Sequence, residues 1–179
     1  MVTKDFVSSL FSIEGKVAIV TGATGALGSA VAKGYGYAGA KVMLTGRNEG
    51  KLREIFEEMK KEGLECAYSV GDPAIEGDAE RIVRETVDTF GELNILCCCH
   101  GLSIPKSILE QSTEEWQGIM DANVKGVYLF AKYSAQQMVK QGKGGKIVIT
   151  SSARSRRGMK GYTGYSTSMA AVDLLAQSL

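Results

Sequence analysis

The segment from Thr21 to Gly28 carries glycine at every third position, at Gly22, Gly25 and Gly28. It follows a short apolar stretch and precedes a stretch of helical periodicity, the context in which a glycine turn binds the pyrophosphate of a dinucleotide. Glycine lets backbone N–H groups approach the phosphates, whose charge the N-terminus of the helix favours. Glycine also marks ordinary tight turns, so the spacing alone leaves that alternative open.

Arg47 bears on the choice of dinucleotide. An acidic residue about 20 residues beyond the glycine turn would hydrogen-bond the ribose 2′-hydroxyl of NAD, but the sequence there reads Leu44-Thr45-Gly46-Arg47-Asn48. The Arg47 guanidinium could clamp a 2′-phosphate, with Gly46 leaving room for it. NADP is therefore favoured and NAD stays possible. The alternative is that Arg47 is a solvated charge before a helix capped by Asn48.

Positioning these residues requires a scaffold, and from Lys16 onward short β-branched stretches alternate with longer amphipathic ones. Such alternation is typical of βαβ units, in which helices cover both faces of a parallel sheet. The predicted strands are Val17–Thr21, Lys41–Thr45, Glu65–Val70, Asn94–Cys98 and Lys146–Ser151. The predicted helices are Ala26–Ala38, Glu49–Glu62, Gly77–Phe90, Thr113–Met120, Val124–Gln141 and one from about Tyr162 to Leu179. We therefore expect one α/β domain over residues 1–179, a three-layer α/β/α, doubly wound sheet of the Rossmann type.

Several motifs are similar, in their order along the chain, to those of the single-domain branch of the short-chain dehydrogenase/reductase family. The likeness runs from Phe11 to Leu179. Its segments are Gly15–Gly22 for the first strand and turn, Asn94–Gly101 for the fourth strand, Asp121–Gly126 for the asparagine segment and Lys146–Ser152 for the fifth strand. Tyr165 follows Ser152 by thirteen residues, which is the family's spacing and the most specific of these likenesses.

The resemblance implies an oxidoreductase that transfers hydride between NAD(P)(H) and a carbonyl or secondary alcohol, on a sheet of strand order 3-2-1-4-5. Tyr165 would be the general acid/base, Ser152 would stabilise the reacting oxygen, and Asn123 would hold a helix bend and help position a water. The cofactor would contact Gly22, Thr24, Gly25, Leu27, Gly28, Arg47, Ser69, Val70, Cys99, His100, Gly101 and Tyr165. A lone serine at a strand end more often caps a turn, and a lone tyrosine more often packs. The family's last two strands would lie beyond Leu179, so we expect a sheet that lacks them.

One departure from the family concerns its lysine, four residues after the tyrosine, where this chain has Met169. Residues i and i+4 share a helix face, so a cation there favours the deprotonated tyrosine and holds the nicotinamide ribose hydroxyls. We therefore expect impaired turnover unless Arg154 or Lys160 fills the gap. The alternative is a non-catalytic, nucleotide-binding homologue.

Milder departures affect the glycine turn and the third and fourth strands. The glycine spacing is that of the family's epimerase branch, a weaker alternative that would need a sugar-nucleotide domain. Cys98-Cys99 stand where an asparagine pair is expected, with His100 in place of alanine. Ser69 stands where an adenine-contacting aspartate is common, which leaves Val70 as the adenine contact.

The run Cys97-Cys98-Cys99-His100 raises the question of a metal site. Consecutive strand residues point to opposite faces, so these four cannot converge on one ion, and we predict no metal. The three consecutive cysteines also lack the spacing of a disulfide framework, which favours reduced thiols. We expect a cytoplasmic protein, since Met1 to Ser12 lacks a leader pattern and no apolar run could span a bilayer.

The balance of charged residues bears on the kind of molecule that the protein binds. Lys and Arg number 21 against 20 Asp and Glu, so we expect neither nucleic acid nor a membrane as partner but a small carbonyl or alcohol substrate. The basic residues Arg154, Arg156 and Arg157 could attract a sugar acid, although a solvated loop is the simpler interpretation. The lead-in Leu10–Lys16 resembles that of gluconate and other sugar dehydrogenases. The resemblance also implies a homodimer or homotetramer formed through the helices Val124–Gln141 and Tyr162–Leu179.

Overall fold

A parallel sheet forms the centre of the computed structural model, which describes residues 10–179; residues 1–9 of the predicted lead-in lie outside the described residues. Its strands are β1 (Val17–Thr21), β2 (Lys41–Gly46), β3 (Cys66–Val70), β4 (Ile95–Cys98) and β5 (Lys146–Ile149). They are hydrogen-bonded in the order β3-β2-β1-β4-β5. The predicted strand order is thus confirmed, and the reversal of direction beside β1 opens a crevice at the carboxyl ends of β1 and β4.

Six α-helices of the described chain follow the strands: α1 (Ala26–Tyr37), α2 (Glu49–Lys61), α3 (Glu76–Phe90), α4 (Thr113–Met120), α5 (Gly126–Gln141) and α6 (Thr163–Ser178). On one face of the sheet, Ala32 of α1 and Leu52 of α2 pack with Leu44 of β2. On the other face, Phe130 of α5 packs with Leu96 of β4. The expected three layers are confirmed. None of the helices from residue 10 onward is long and apolar enough to cross a membrane.

The connection between α4 and α5 differs from the prediction. The sequence predicts two separate helices, with the second starting at Val124, whereas the structure continues from α4 through a π-helix, Asp121–Lys125, into α5. A π-helix widens one turn and is often found at functional sites. Apolar periodicity does not reveal it, because the same residues would pack similarly on an α-helix.

The fifth strand is also less enclosed than predicted. It ends at Ile149 rather than Ser151, and Val148 is 46% exposed. In the described chain β5 pairs with β4 alone, so it is an edge strand and lacks the two-sided cover of β1. The other elements have the predicted bounds, as Val17–Thr21 and Thr113–Met120 do, or differ from them by one or two residues, as helix and strand ends commonly do.

Candidate active site

The glycine turn between β1 and α1 is held by backbone packing that allows no side chain at two positions. Gly22 has φ +65°, and a Cβ there would lie 2.7 Å from the backbone of His100. A Cβ on Gly28 would lie 2.2 Å from the carbonyl oxygen of Gly22. Because Gly28 has no side chain, α1 starts directly against the turn, and the first N–H groups of α1 face the crevice. Because Gly22 has no side chain, the turn packs on the segment that follows β4.

A cavity of about 190 Å³ lies over this turn. It is lined by residues that follow four strands: Thr21, Gly22, Thr24, Gly25, Thr45, Gly46, Arg47, Gly71, Asp72, Pro73, Cys99, His100, Gly101, Leu102, Ala122 and Phe130. Seven of the predicted cofactor residues are among them: Gly22, Thr24, Gly25, Arg47, Cys99, His100 and Gly101. Sequence reasoning did not select Asp72 or Ala122, since neither carries a motif position that points to a nucleotide.

A second cavity, of about 260 Å³, adjoins the first on the side of α6. Four residues after β4 line both cavities, namely Cys99, His100, Gly101 and Leu102. The second cavity adds Leu27, Ser103, Thr150, Ser151, Tyr165 and Met169. The structure therefore places Leu27 and Tyr165, the remaining predicted residues that line a cavity, in a second cavity that shares four lining residues with the first.

Arg47 stands at the mouth of the first cavity. Its Nη1 lies 3.8 Å from Oδ2 of Asp72, and both side chains are exposed to solvent to a considerable degree. Such an exposed, long ion pair contributes little to stability, so the guanidinium is free to move onto a more highly charged anion. This arrangement fits the predicted role of Arg47 toward a 2′-phosphate.

Ser69 and Val70, both predicted to contact the cofactor, are hydrogen-bonded to α3 in the structure. The Ser69 hydroxyl donates to Glu85 at 2.6 Å and accepts from Arg81 at 3.0 Å, and the same arginine donates to the carbonyl oxygen of Val70 at 2.7 Å. Neither Ser69 nor Val70 lines the cavity, whereas the following Gly71 and Asp72 do. In the structure Ser69 anchors α3 to β3, and its contact with a cofactor stays a prediction.

Asn123 lies in the π-helix and is fully buried. Its Oδ1 accepts from the Leu102 backbone N–H at 2.6 Å, and its Nδ2 donates to the Leu102 carbonyl at 2.9 Å and to Ser168 Oγ at 2.8 Å. Ser168 in turn donates to the carbonyl oxygen of Tyr165 at 2.8 Å. Asn123 thus lies in a widened helical turn, and its amide links the segment at Leu102 to the helix that carries Tyr165, while its predicted role in catalysis stays a prediction.

Ser152 is the predicted catalytic serine, but its neighbour Ser151 is the one that lines the second cavity. Ser152 Oγ accepts a hydrogen bond from the Arg154 backbone N–H at 3.2 Å, so it caps the 3-10 turn Ala153–Ser155. It does not line the second cavity, but Ser151 and Thr150 do. A hydroxyl that accepts one bond through a lone pair keeps its own proton for donation. Capping is thus compatible with the predicted role of Ser152 but does not test it.

Met169 occupies the helix position one turn after Tyr165 and is 5% exposed. No lysine or arginine lines this part of the crevice in the described chain. Of the two cations considered as substitutes, the Arg154 guanidinium lies 5.7 Å above the ring of Tyr162, and Lys160 is exposed. Neither contacts Tyr165 in the structure.

His100 replaces a small residue and points toward α5. Its Nδ1 lies 2.5 Å from Thr21 Oγ1, while its Nε2 is shielded from solvent and has no hydrogen-bond partner among the described residues. Burial lowers the pKa of His100 to about 4, so the ring is neutral at pH 7. The neutral ring therefore forms part of the cavity wall, with Nε2 turned toward Gly126 of α5.

These features can be compared with known proteins. A family model described as "short chain dehydrogenase" matches residues 16–179. The chain belongs to the short-chain dehydrogenase family. Its members are oxidoreductases of the Rossmann fold that use NAD(P), and the glycine turn and the Tyr165 crevice lie where this fold binds dinucleotides.

Individual relatives agree with this assignment. An uncharacterized oxidoreductase of Thermotoga maritima is 41% identical over 168 residues, covering 94% of this chain and 66% of the relative. Glucose 1-dehydrogenase of Gluconobacter oxydans is 34% identical over 166 residues, covering 92% and 62%. The chain thus spans less than two thirds of the length of these curated relatives. The crystal structure of a short-chain type dehydrogenase/reductase from Mycobacterium marinum superposes with a TM-score of 0.92 at 32% identity, covering 96% of this chain and 70% of that one.

Proposed function

We propose that this chain is the nucleotide-binding and catalytic part of an NADP(H)-dependent oxidoreductase that interconverts a carbonyl compound and a secondary alcohol. The observation that supports this most directly is the segment Cys99–Leu102, because it lines both the glycine-turn cavity and the Tyr165 cavity and so places them side by side. The bound NADP(H) supplies or accepts the hydride. The chain's residues hold the dinucleotide, orient the substrate and move the proton.

The first cavity fits the adenosine and pyrophosphate half of a dinucleotide. Its floor is the turn at Gly22 and Gly28, where an added Cβ would collide with the backbone, and the first N–H groups of α1 are free to bind phosphate. Arg47 at the mouth would hold a 2′-phosphate.

The proton would be handled at the second cavity. In reduction the Tyr165 hydroxyl gives its proton to the carbonyl oxygen, and in oxidation it takes that proton from the alcohol. The Ser152 hydroxyl follows Ser151 of the cavity wall and would have to turn toward the cavity to donate a hydrogen bond to the same oxygen, while its lone pair accepts the Arg154 N–H. Asn123 holds the Leu102 backbone and, through Ser168, the first turn of α6.

Turnover by this chain would be slow, because Met169 cannot supply the charge that favours a deprotonated Tyr165. The same observation favours a second candidate function, a nucleotide-binding homologue without catalysis. Binding of NADPH without oxidation by any carbonyl compound would support the second function over the first.

The substrate we propose is a small carbonyl or alcohol, and a sugar or sugar acid is favoured by the likeness to glucose 1-dehydrogenase.

We also propose that copies of the chain pair through α5 and α6, whose Tyr128, Val139 and Leu174 side chains are exposed. Four free cysteines suit a reducing compartment such as the cytoplasm. Sedimentation analysis tests the pairing.

The decisive experiment is a fluorescence titration with NADPH and with NADH, followed by a panel of ketones and sugar lactones. Arg47→Gln should weaken NADPH binding by about tenfold or more and leave NADH binding unchanged, because a charge-assisted hydrogen bond contributes about 1.5 to 3 kcal/mol. Arg53→Gln, which removes an exposed arginine of α2 outside the cavity, is the matched control. Failure of the unaltered chain to bind either nucleotide would refute the proposed function.

A further inference from the structure

Two cysteine thiols meet beneath the junction of the two cavities. Cys97, at the third position of β4, and Cys99, just after the strand, are two residues apart, so their side chains leave the backbone on the same face. Their Sγ atoms are 3.5 Å apart. Cys98 points the other way, into the core between the sheet and α5. The sequence analysis predicts that consecutive cysteines point to opposite faces of the strand, which the structure agrees with, but it does not predict that Cys97 and Cys99 lie close together.

The two thiols differ in their access to solvent. Cys99 lines both cavities, whereas Cys97 is 3% exposed and packs in the core beneath them. A small molecule that enters the crevice therefore meets Cys99 first. Cys97 can react only with a group already on Cys99.

Hydrogen bonds around the pair favour the thiolate at Cys99. Its sulfur lies within hydrogen-bond distance of the Cys97 sulfur, at 3.5 Å, and accepts from the Thr150 hydroxyl at 3.8 Å, and these contacts lower the pKa of Cys99. The pKa of Cys97 is raised, because its thiol shares the hydrogen bond with Cys99 and is buried. Burial raises the pKa of Cys66, the matched buried cysteine elsewhere in the sheet.

We propose that Cys97 and Cys99 form a redox-active pair, in which peroxide oxidises Cys99 and Cys97 then closes a disulfide with it. In the first step the Cys99 thiolate attacks one peroxide oxygen, the O–O bond breaks, and the products are Cys99 sulfenic acid and, after protonation, water. In the second step the Cys97 sulfur attacks the Cys99 sulfur and the S–O bond breaks. The Cys97 proton leaves with the hydroxide as water. Two thiols and one hydrogen peroxide thus give one disulfide and two waters.

Closure of the disulfide requires a change in the backbone at Cys99. Residues two apart on a strand have both their Cα and their Cβ atoms about 6.6 Å apart, whereas a disulfide needs Cβ atoms about 4 Å apart. The sulfurs must also approach by about 1.5 Å, to the usual S–S length of about 2.05 Å. Because Cys99 follows the last residue of β4, its backbone can bend toward Cys97 without breaking a strand in the middle.

That movement would reach the nucleotide cavity. A Cβ on Gly22 would lie 2.9 Å from the carbonyl carbon of Cys99, so the glycine turn rests directly on this segment. The Cys99 N–H also donates to the Thr21 carbonyl oxygen at 3.2 Å. Oxidation should therefore weaken nucleotide binding, a consequence that rests on the proposed function.

The test treats the reduced chain with one equivalent of hydrogen peroxide, unfolds it, blocks the remaining thiols with iodoacetamide and maps the peptides by mass spectrometry. We expect the peptide that contains the three adjacent cysteines to lose the mass of two hydrogen atoms, with Cys98 and Cys66 alkylated and no fragmentation between Cys97 and Cys99. A linkage through Cys98, or peroxide uptake that leaves Cys97 and Cys99 both free, would overturn the proposal.

Variants separate the two steps. Cys97→Ala should stop at the sulfenic acid, which dimedone traps, and Cys66→Ala should behave like the unaltered chain. If Cys97→Ala does not fold, phenylarsine oxide, which bridges two close thiols, provides a second test on the unaltered chain. It should protect Cys97 and Cys99 together from alkylation, and protection of neither would count against the pair.

The rate of alkylation provides a further measurement. Cys99 lines both cavities and its pKa is lowered, whereas Cys66 is buried and its pKa is raised. Cys99 should therefore react with iodoacetamide at pH 7 faster than Cys66, and an equal rate would contradict the assignment of the reactive thiol.

The effect of the disulfide on nucleotide binding is measured in a separate titration. The disulfide form should bind NADPH about tenfold more weakly than the reduced form, with recovery after dithiothreitol. An unchanged affinity would refute the link to the cavity. A reduced chain that does not bind NADPH at all would refute the proposed function and leave the disulfide result standing.

Discussion

The side-chain amide of Asn123 donates a 2.8 Å hydrogen bond to the hydroxyl of Ser168, across 45 residues of sequence. The Ser168 hydroxyl in turn donates to the Tyr165 carbonyl oxygen. The Asn123 amide also forms hydrogen bonds with the backbone N–H and carbonyl groups of Leu102. All of these bonds are at least partly buried. The π-helix, the crevice floor and the start of α6 therefore share one polar network, and such networks are costly to break when a partner is left unsatisfied.

Replacing Ser168 by alanine tests this network. The Ser168→Ala variant should lower the free energy of unfolding by about 1 to 3 kcal/mol, because one proton of the buried Asn123 amide then has no acceptor. Ser178→Ala is the matched control, since Ser178 donates to the Leu174 carbonyl oxygen at 2.8 Å in the same helix but is exposed. Its effect should stay within about 0.5 kcal/mol. Equal urea midpoints for the two variants would show that the shared bond contributes nothing.

The gap left by Met169 provides a gain-of-function test. Met169→Lys places an ammonium group one helical turn from Tyr165, and its long stem can carry the charge into the cavity that Met169 already lines. If the proposed mechanism is correct, kcat should rise by at least about tenfold, since positioned acid–base groups contribute about 100-fold to 10,000-fold. Steady-state oxidation of NADPH with a reactive ketone measures this change.

Met159→Lys is the charge-matched control for that experiment, because Met159 is exposed and lines neither cavity. It should leave kcat unchanged. If Met169→Lys still binds NADPH but its kcat does not rise, the missing lysine does not limit turnover by this chain. The non-catalytic function would then be favoured.

The elements that the sequence predicts well are those specified by neighbouring residues. The order strand, glycine turn, helix around Gly22 follows from an apolar run, small residues and helical periodicity, all within about twenty positions. The opposite directions of Cys97 and Cys98 follow from the period of a strand. These features could be predicted because no distant residue decides them.

The features that the sequence does not predict depend on distant partners. Ser69 was expected to face a cofactor, but Arg81 and Glu85 of α3 take its hydroxyl, and a motif position does not reveal which neighbour competes for it. The π-helix at Asn123 depends on bonds to Leu102 and Ser168, 21 and 45 residues away. The approach of Thr150 to Cys99 depends on the register between β4 and β5.

Two glycines of α1 should respond in opposite ways to alanine. Gly28→Ala puts a Cβ 2.2 Å from the Gly22 carbonyl oxygen, so it should destabilise the chain by about 1 to 3 kcal/mol and displace the turn. Gly34 has no heavy atom within 4 Å of its added Cβ and is exposed. Gly34→Ala should instead stabilise by about 0.5 to 1 kcal/mol, since alanine favours the helix.

Urea unfolding and NADPH titration check both glycine variants. Gly28→Ala should lose nucleotide binding even at urea concentrations where it is folded, whereas Gly34→Ala should bind like the unaltered chain. Comparable stability of the two variants would mean that α1 does not begin as close to the turn as the structure places it.

The single histidine of the chain permits a prediction about stability and pH. Burial lowers the pKa of His100 from 6.5 to about 4, so in this interval the unfolded chain binds a proton that the folded chain does not. Stability from this group is fully present above about pH 6.5 and is lost as the pH falls toward 4. Between about pH 7.5 and 5 the loss should be about 2 kcal/mol.

Carboxylates also titrate as the pH falls, so the contribution of His100 is isolated by comparison with His100→Asn. An asparagine side chain can keep the bond to Thr21 Oγ1 but does not ionise in this range. Urea unfolding at pH 7.5 and pH 5 should show a smaller loss of stability in the variant, by about 2 kcal/mol. Identical pH dependence in the two proteins would mean that the imidazole accepts a proton in the folded chain as readily as in the unfolded one, and its neutral state in the cavity wall would have to be abandoned.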